Sequence, residues 1–408
     1  MSMKSQLSEW KYVLTSKFIP SILLAPLIMA AVFGYIFQNG QINEVPVAVV
    51  DEDNSLYSRQ FTDKINASQY MDVAGVFHEA IAPEKLMANE KFMAVVYLPR
   101  GMEQLRFQGK SINIGFLIDN SMPSAIGNIR SGMQELITTE NTSLTVGKLK
   151  VMGMGDEAAM GMATPLSMQQ RLLFNPTSDF IAFMVIGFVN VTALGITSIA
   201  AASIVPRLRM EGRLTEALRS PIGLWLRVLP YAVINTISLQ LAFGMLKQVG
   251  GLRFVSNPVE FLLPLFLYSL TATLMGMAVG WTASEPSKVT LRTYAIVYPS
   301  FMLSGVQVAT IMFPAPVQFL SNLLPLTWLF KFIRGMGYRG GELKYFTGEL
   351  GVFVLMIGVY SLIIGLLLWR ETRKAAKASA DTGLPAAPQE AALPAAAHTT
   401  TQVGEIMA

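Results

Sequence analysis

The side chains that most often carry covalent or metal chemistry are scarce here. Among 408 residues there is no cysteine, and the two histidines, His78 and His398, lie far apart. Lacking cysteine, the chain has no disulfide, no thiolate metal site and no thiol nucleophile. Two such histidines assemble no Ser-His-Asp set. The acid run Asp51-Glu52-Asp53 offers oxygens a metal could use. With Asn54-Ser55 behind it, however, it reads as a solvated strand-to-helix turn. The nearest approach to a phosphate loop, Gly127-Asn-Ile-Arg-Ser-Gly132, continues Met133-Gln134. A nucleotide site needs Lys-Ser/Thr there to hold phosphate and Mg²⁺. No catalytic residue, metal ligand or cofactor-binding residue is therefore expected.

What the chain has in quantity is apolar length. Hydrophobic residues make up 52% of it and charged residues 14%, against about 25% charged in soluble domains. Six stretches contain no Asp, Glu, Lys, Arg or His: between Lys17 and Glu44, Asp179 and Arg207, Arg227 and Lys247, Glu260 and Glu285, Arg292 and Lys331, and Glu349 and Arg370. A membrane-crossing helix needs about 20 apolar residues, and each stretch is long enough. The fold class expected is an α-helical polytopic membrane protein with six transmembrane helices. Ion-coupled carriers keep ionisable groups inside the membrane to bind the driving ion. These stretches hold none, so any transport must draw its energy from outside the bilayer.

Charge sets the expected topology. Residues 38–179 hold 16 acids and 11 bases, a net −5, so the remainder carries +9. Basic clusters at the N-terminus, at Arg207–Arg227, at Lys288 and Arg292, and from Arg370 to Lys377 place those segments on the cytoplasmic side. Both termini then lie inside and the number of crossings is even. The first apolar run is too long for a signal peptide and lacks a cleavage site, so it is read as an uncleaved span. The fifth stretch, 38 residues long, is read as one span over about 293–313. An outer re-entrant segment follows over 314–345, broken by Pro314, Pro316 and Pro325. Lys331, Arg334, Arg339 and Lys344 then fall on the outer side, against the rule.

Residues 38–178 contain no span. β-Branched runs at 45–51, 73–77, 94–98 and 112–118 alternate with helical patterns at 55–67, 83–89, 101–107 and 124–152. That alternation predicts an inserted extracytoplasmic α/β domain. Residues 371–408, rich in Ala, Pro and Thr, read as a disordered cytoplasmic tail.

Two groups of residues could couple or guide transport. A short helix over 209–219 carries Glu211, Gly212, Arg213, Leu214, Thr215, Glu216 and Leu218, with Leu214 and Leu218 one turn apart on a face. It can dock into a groove of a partner, or rest on lipid headgroups as an interfacial helix. The polar span residues Asn190, Asn235, Gln240 and Gln307 can line a path between protomers or hydrogen-bond neighbouring helices. A Gly276-x-x-x-Gly280 motif permits close helix approach.

These pieces resemble, in order and spacing, the membrane subunit of type-2 ABC exporters, in the branch with a large extracytoplasmic insertion. The resemblance runs over roughly residues 10–372. It rests on Val45–Asp51 with Asn54-Ser55, Asn175-Pro176, Glu211-Gly212 with Leu214, Ser220-Pro221, Leu303-Ser304-Gly305, Pro325-Leu326-Thr327 and Arg334-Gly335. The chain departs from the family at Arg213, where Thr is usual, at Ile186-Gly187, where Pro-Gly is frequent, and at Val306, where Pro is common. The resemblance implies a permease without an ATPase site of its own, in the cytoplasmic membrane. Its implied partners are an ABC ATPase subunit that holds ATP and Mg, a second permease protomer, membrane lipid and a periplasmic adaptor protein; nucleic acid is not among them. The cargo implied is a drug, a lipid or a lipid-linked product, with 209–219 as the coupling helix. The alternative is a membrane receptor or scaffold whose ectodomain binds a partner.

Overall fold

A computed structural model describes residues 2–16, 18–38, 44–89, 91–120, 123–165, 173–175 and 179–381. Helix α1 (Ser2–Thr15) leads into α2 (Phe18–Ile36), which carries Pro26 inside it.

A four-stranded sheet follows: β1 (Val45–Asp51), β2 (Met71–Phe77), β3 (Ala94–Leu98) and β4 (Gly115–Ile118), in the order β2-β1-β3-β4. Strand β1 pairs in parallel with β2 and β3, and β4 closes the edge antiparallel to β3. The run Val-Pro-Val-Ala-Val-Val is buried on both faces because β1 is central, as continuous apolar strands are in covered sheets. The crossover from β1 to β2 is α3 (Leu56–Asn66), and α4 (Pro83–Met87) precedes β3. On one face Val45, Val47 and Val49 meet Phe61 and Ile65 of α3, Met102 of α5 (Met102–Phe107), and Ile129 and Met133 of the long helix α6 (Pro123–Val151). On the other face Ala48, Val50 and Val95 meet Leu86 and Met87 of α4. Asp51 and Asp53 act as caps. Asp51 Oδ1 accepts from the N–H of Asp53 and Asn54, and its Oδ2 from Ser58 Oγ. Asp53 accepts from the N–H of Gly101, Met102 and Glu103 at the start of α5. Helix α7 (Asp156–Ala163) packs back on α6.

The remaining helices form an apolar bundle. A π-helical turn (Ile181–Val185) runs into α8 (Ile186–Ala202) and α9 (Ile204–Met210). Asp179 caps its start, accepting from Ile181 N–H at 2.8 Å, while burial raises its carboxyl above the usual range. Then come α10 (Leu214–Leu218), α11 (Pro221–Trp225), α12 (Leu229–Val249), α13 (Pro258–Gly280) and α14 (Val289–Leu303). Among the described residues five segments are long and apolar enough to cross a membrane: Phe18–Ile36, Ile181–Met210, Pro221–Val249, Pro258–Gly280 and Leu343–Lys374.

The expected span over 293–313 differs. Helix α14 has 15 residues, about 22 Å at 1.5 Å per residue. It stops at Leu303 because Gly305 takes φ +82°, and Arg334 Nη1 bonds the Gly305 carbonyl at 2.8 Å. The segment 314–345 is a pair of short helices, α15 (Ala315–Asn322) and α16 (Pro325–Phe332), each with proline in its first turn, followed by a π-helical turn (Ile333–Tyr338). The bases that offended the charge rule have local partners. Lys331 sits over the Trp328 ring, and Lys344 pairs with Glu342 at 2.6 Å. Helix α17 (Thr347–Asp381) continues past Arg370. The tail expected to be disordered from 371 is thus helical to Asp381, and 382–408 lie outside the described residues.

Helix α13 is the hub of the bundle, packed on α8, α12 and α17, while α2 leans on α12 and α8. A Cβ at Gly276 would stand 2.3 Å from Ser198 O, and one at Gly280 2.0 Å from Ala202 O. The G-x-x-x-G motif therefore serves an α8–α13 contact within one chain.

Candidate coupling site

The helix expected over 209–219 is two helices. Helix α9 ends at Met210 in a Schellman turn: Gly212 N–H bonds Arg209 O at 3.2 Å and Arg213 N–H bonds Leu208 O at 2.9 Å. This turn needs a left-handed residue at its hinge, and Gly212 supplies φ +68°. Helix α10 follows. Then Ser220 Oγ accepts from Gly223 N–H at 3.3 Å and Pro221 opens α11, so Ser-Pro works as a cap and first-turn pair.

The burial of this loop is one-sided. Leu214, Ala217 and Leu218 are buried in a core shared with Val13 of α1, Leu208 of α9 and Leu224 of α11. Their shared face is as expected, but it turns inward instead of being offered to a partner. Glu211, Gly212, Arg213, Thr215, Glu216 and Arg219 form the exposed side. An interfacial helix would need its apolar side free for lipid, and here that side is already covered.

Beneath the loop lies a charged cluster that reading the sequence in segments missed. Glu9 of α1 is 1% exposed. Its Oε1 accepts from Arg207 Nη2 at 2.6 Å and Tyr231 OH at 2.8 Å. Its Oε2 accepts from Arg207 Nη2 at 2.6 Å and Arg227 Nη1 at 2.8 Å. Arg207 also stacks over the Tyr12 ring at 3.5 Å and approaches Glu211, with Nε at 3.7 Å from Oε1. Arg209 donates to the carbonyls of Ala283 and Trp281 and meets Glu371 of α17 at 3.2 Å. Two of the arginines that marked a cytoplasmic loop by composition are thus buried ties. Buried guanidiniums are tolerated where carboxylates and hydrogen bonds answer them. The signal that could have found the cluster was Glu9, the lone acid in an N-terminal segment that otherwise carries Lys4, Lys11 and Lys17.

The four polar span residues do not converge. Asn235 of α12 accepts from Thr197 Oγ1 of α8 and donates to Ser269 Oγ of α13, both at 2.9 Å. It therefore ties three helices together. Asn190 is buried and donates back to Ile186 O one turn earlier at 2.7 Å. Gln240 reaches Pro258 O at 3.5 Å. Gln307 is exposed in the turn after α14 and lines a cleft of about 360 Å³ with Thr310, Arg334 and Asn175. No hydrogen bond joins any two of the four among the described residues.

Comparison with known proteins finds related permeases. The chain is 22% identical over 326 residues to the linearmycin resistance permease protein LnrN of Bacillus subtilis (strain 168), covering 74% of this chain and 82% of that one. It is 18% identical over 315 residues to the probable multidrug ABC transporter permease YbhR of Escherichia coli (strain K12), covering 76% and 80%. Residues 16–367 match the family described as ABC-2 family transporter protein, and with most of its length inside that match the chain belongs to the ABC-2 transporter family.

Proposed function

We propose that this permease works as one half of an ATP-driven exporter in the cytoplasmic membrane, with both termini inside and the α/β domain outside. It pairs with a second, like or related protomer. Each protomer receives an ATPase subunit that holds ATP and Mg, and this chain binds no cofactor of its own. Five long apolar helices make crossings, and the shorter α14, continuous with the turn Pro286–Lys288 before it, makes the sixth. The cargo is amphipathic or hydrophobic, a class consistent with relatives named for multidrug transport and linearmycin resistance.

One observation carries the reading: the loop 211–219 exposes a polar side while its apolar side packs with α1, α9 and α11 and the flanking Arg207, Arg209 and Arg227 tie its ends to α1 and α17. Movement of the ATPase against Glu211, Arg213, Thr215, Glu216 and Arg219 would not be lost in a flexible loop. It would pass along α9 into α8, through Arg207 and Glu9 into α1, and through Arg209 to the ends of α13 and α17. Such a rigid lever biases a two-state bundle between inward-open and outward-open forms.

The test is the quadruple variant Glu211→Ala, Arg213→Ala, Glu216→Ala and Arg219→Ala in the reconstituted permease–ATPase complex. These exposed changes leave thermal stability within about 0.5 kcal/mol per site, whereas cargo-stimulated ATP hydrolysis and co-purification of the ATPase fall sharply. Undiminished stimulation would remove the loop from the mechanism.

A further inference from the structure

Between helix α6 and the α3–α5 side of the sheet lies an open cleft of about 620 Å³, the size of a small-molecule site. Apolar side chains supply about half of its lining, Phe61, Ile114 and Phe116 on the sheet side and Met133, Ile137 and Leu144 on α6, with Asn113, Gln134 and Asn141 between them. Its rim is basic, with Arg106, Lys110, Arg130 and Lys148. Lys110, Arg130 and Lys148 are exposed and make no ion pair among the described residues. The one carboxylate in the lining, Glu140, is already held by Lys64 Nζ and by Tyr57 OH at 3.1 Å. Four bases gather here although residues 38–179 are acidic overall.

We infer that this cleft binds an amphipathic anion: a carboxylate, phosphate or sulfate head carried on an apolar tail or ring system. The head pairs with the unanswered cations in charge-assisted hydrogen bonds, and the body displaces water from the aromatic and aliphatic walls. A purely apolar ligand would leave the rim without counter-ions. A small inorganic anion would leave the apolar part of the lining wet. The site lies outside the bundle and needs no ATPase, so it stands or falls independently of the export reading.

The experiment uses the full chain in phosphatidylcholine nanodiscs and a diazirine-bearing long-chain fatty acid as probe. Photolysis should label peptides spanning residues 109–116 and 133–144. Dodecyl phosphate should compete, whereas dodecanol and inorganic phosphate at equal concentration should not. The variant Lys110→Glu, Arg130→Glu, Lys148→Glu should lose about tenfold in labelling at those peptides, as expected for lost charge-assisted bonds. The milder Lys110→Gln, Arg130→Gln, Lys148→Gln variant should lose less, and both should keep the wild-type melting temperature. Adding phosphatidylglycerol to the disc identifies the source. Weakened labelling assigns the site to bilayer lipid and unchanged labelling to a soluble amphiphile, and both uphold it. Labelling confined to the membrane helices, equal competition by dodecanol or by inorganic phosphate, or wild-type labelling in the charge-reversed variant would overturn the assignment.

Discussion

Glu9 and Arg227 are 218 positions apart in sequence, and their side chains meet at 2.8 Å in a buried pocket. Arg207 closes the same carboxylate from the other side. Both ends of the loop 211–219 are therefore tied to the N-terminal helix by one acid, through Arg207 before it and Arg227 after it. Glu9 answers two guanidiniums, with Glu211 at the edge of the cluster giving partial compensation. Its charge matters more than its size.

Replacing Glu9 with Ala leaves buried Arg227 facing no carboxylate and Arg207 with only the more distant Glu211, 3.7 Å from its Nε. Breaking one partner of a buried pair costs about 3–5 kcal/mol, and that loss is expected in thermal unfolding of the permease in nanodiscs. Glu9→Gln should lie between, because its amide oxygen still accepts one bond. Glu9→Met combined with Arg227→Met should recover part of the loss, since an apolar replacement of both partners leaves less unanswered charge. A Glu9→Ala protein within 0.5 kcal/mol of wild type would show that the cluster carries no structural load.

The α8–α13 seam makes an independent prediction. Gly276→Ala and Gly280→Ala each drive a methyl into a backbone carbonyl on α8. Backbone cannot rotate aside as a flexible side chain can, so each change should cost about 1–3 kcal/mol as overpacking does. Gly358→Ala on α17 is the control: a Cβ there meets nothing within 4 Å, and the exchange should be neutral or stabilising by about 0.5–1 kcal/mol. Equal melting temperatures for all three would mean that α8 and α13 stand farther apart than the structure places them.

Much of the architecture was readable from local pattern. The strands around Val47, Val96 and Phe116 and the helices between them obey simple periodicity, because their buried faces repeat within a few residues. The apolar helices α8, α12, α13 and α17 were equally legible from length and absence of charge. What escaped depends on distant partners. Arg207 and Arg227 look like any loop arginine until α1 brings Glu9 between them. Leu214 and Leu218 share a face in sequence, yet nothing local says whether that face points inward or outward. The end of α14 at Leu303 is set by Gly305 and by Arg334, 29 residues on.

At Gly212 the prediction concerns geometry. A Cβ there meets nothing within 4 Å, so the cost of Gly212→Ala comes from its positive φ alone. That strain is about 1–2 kcal/mol. It should appear as a small loss of stability together with a larger loss of cargo-stimulated ATP hydrolysis, because relief of strain tilts α10 away from its seat on Leu208 and Leu224. Gly212→Asn, which tolerates the left-handed region, should retain more of both. If Gly212→Ala lowers stability with full stimulation, the hinge is structural and α10 does not transmit force.

Asn235 distinguishes a helix tie from a lining residue of the translocation path. It is fully buried, and both ends of its amide are occupied, by Thr197 and Ser269. Removing it by Asn235→Leu leaves those two hydroxyls to rebond within their own helices, as Ser and Thr in membrane helices can. Each interhelical bond is worth about 0.6 kcal/mol on average in a membrane protein, and up to about 1.7. The expected loss is therefore about 1–3 kcal/mol, with transport of different cargoes reduced in equal proportion. A path residue would behave otherwise: stability would barely move, while the ratio of rates between a charged and an uncharged cargo would change. Measuring both quantities on one preparation separates the roles, and a shifted cargo ratio at unchanged melting temperature would return Asn235 to the path.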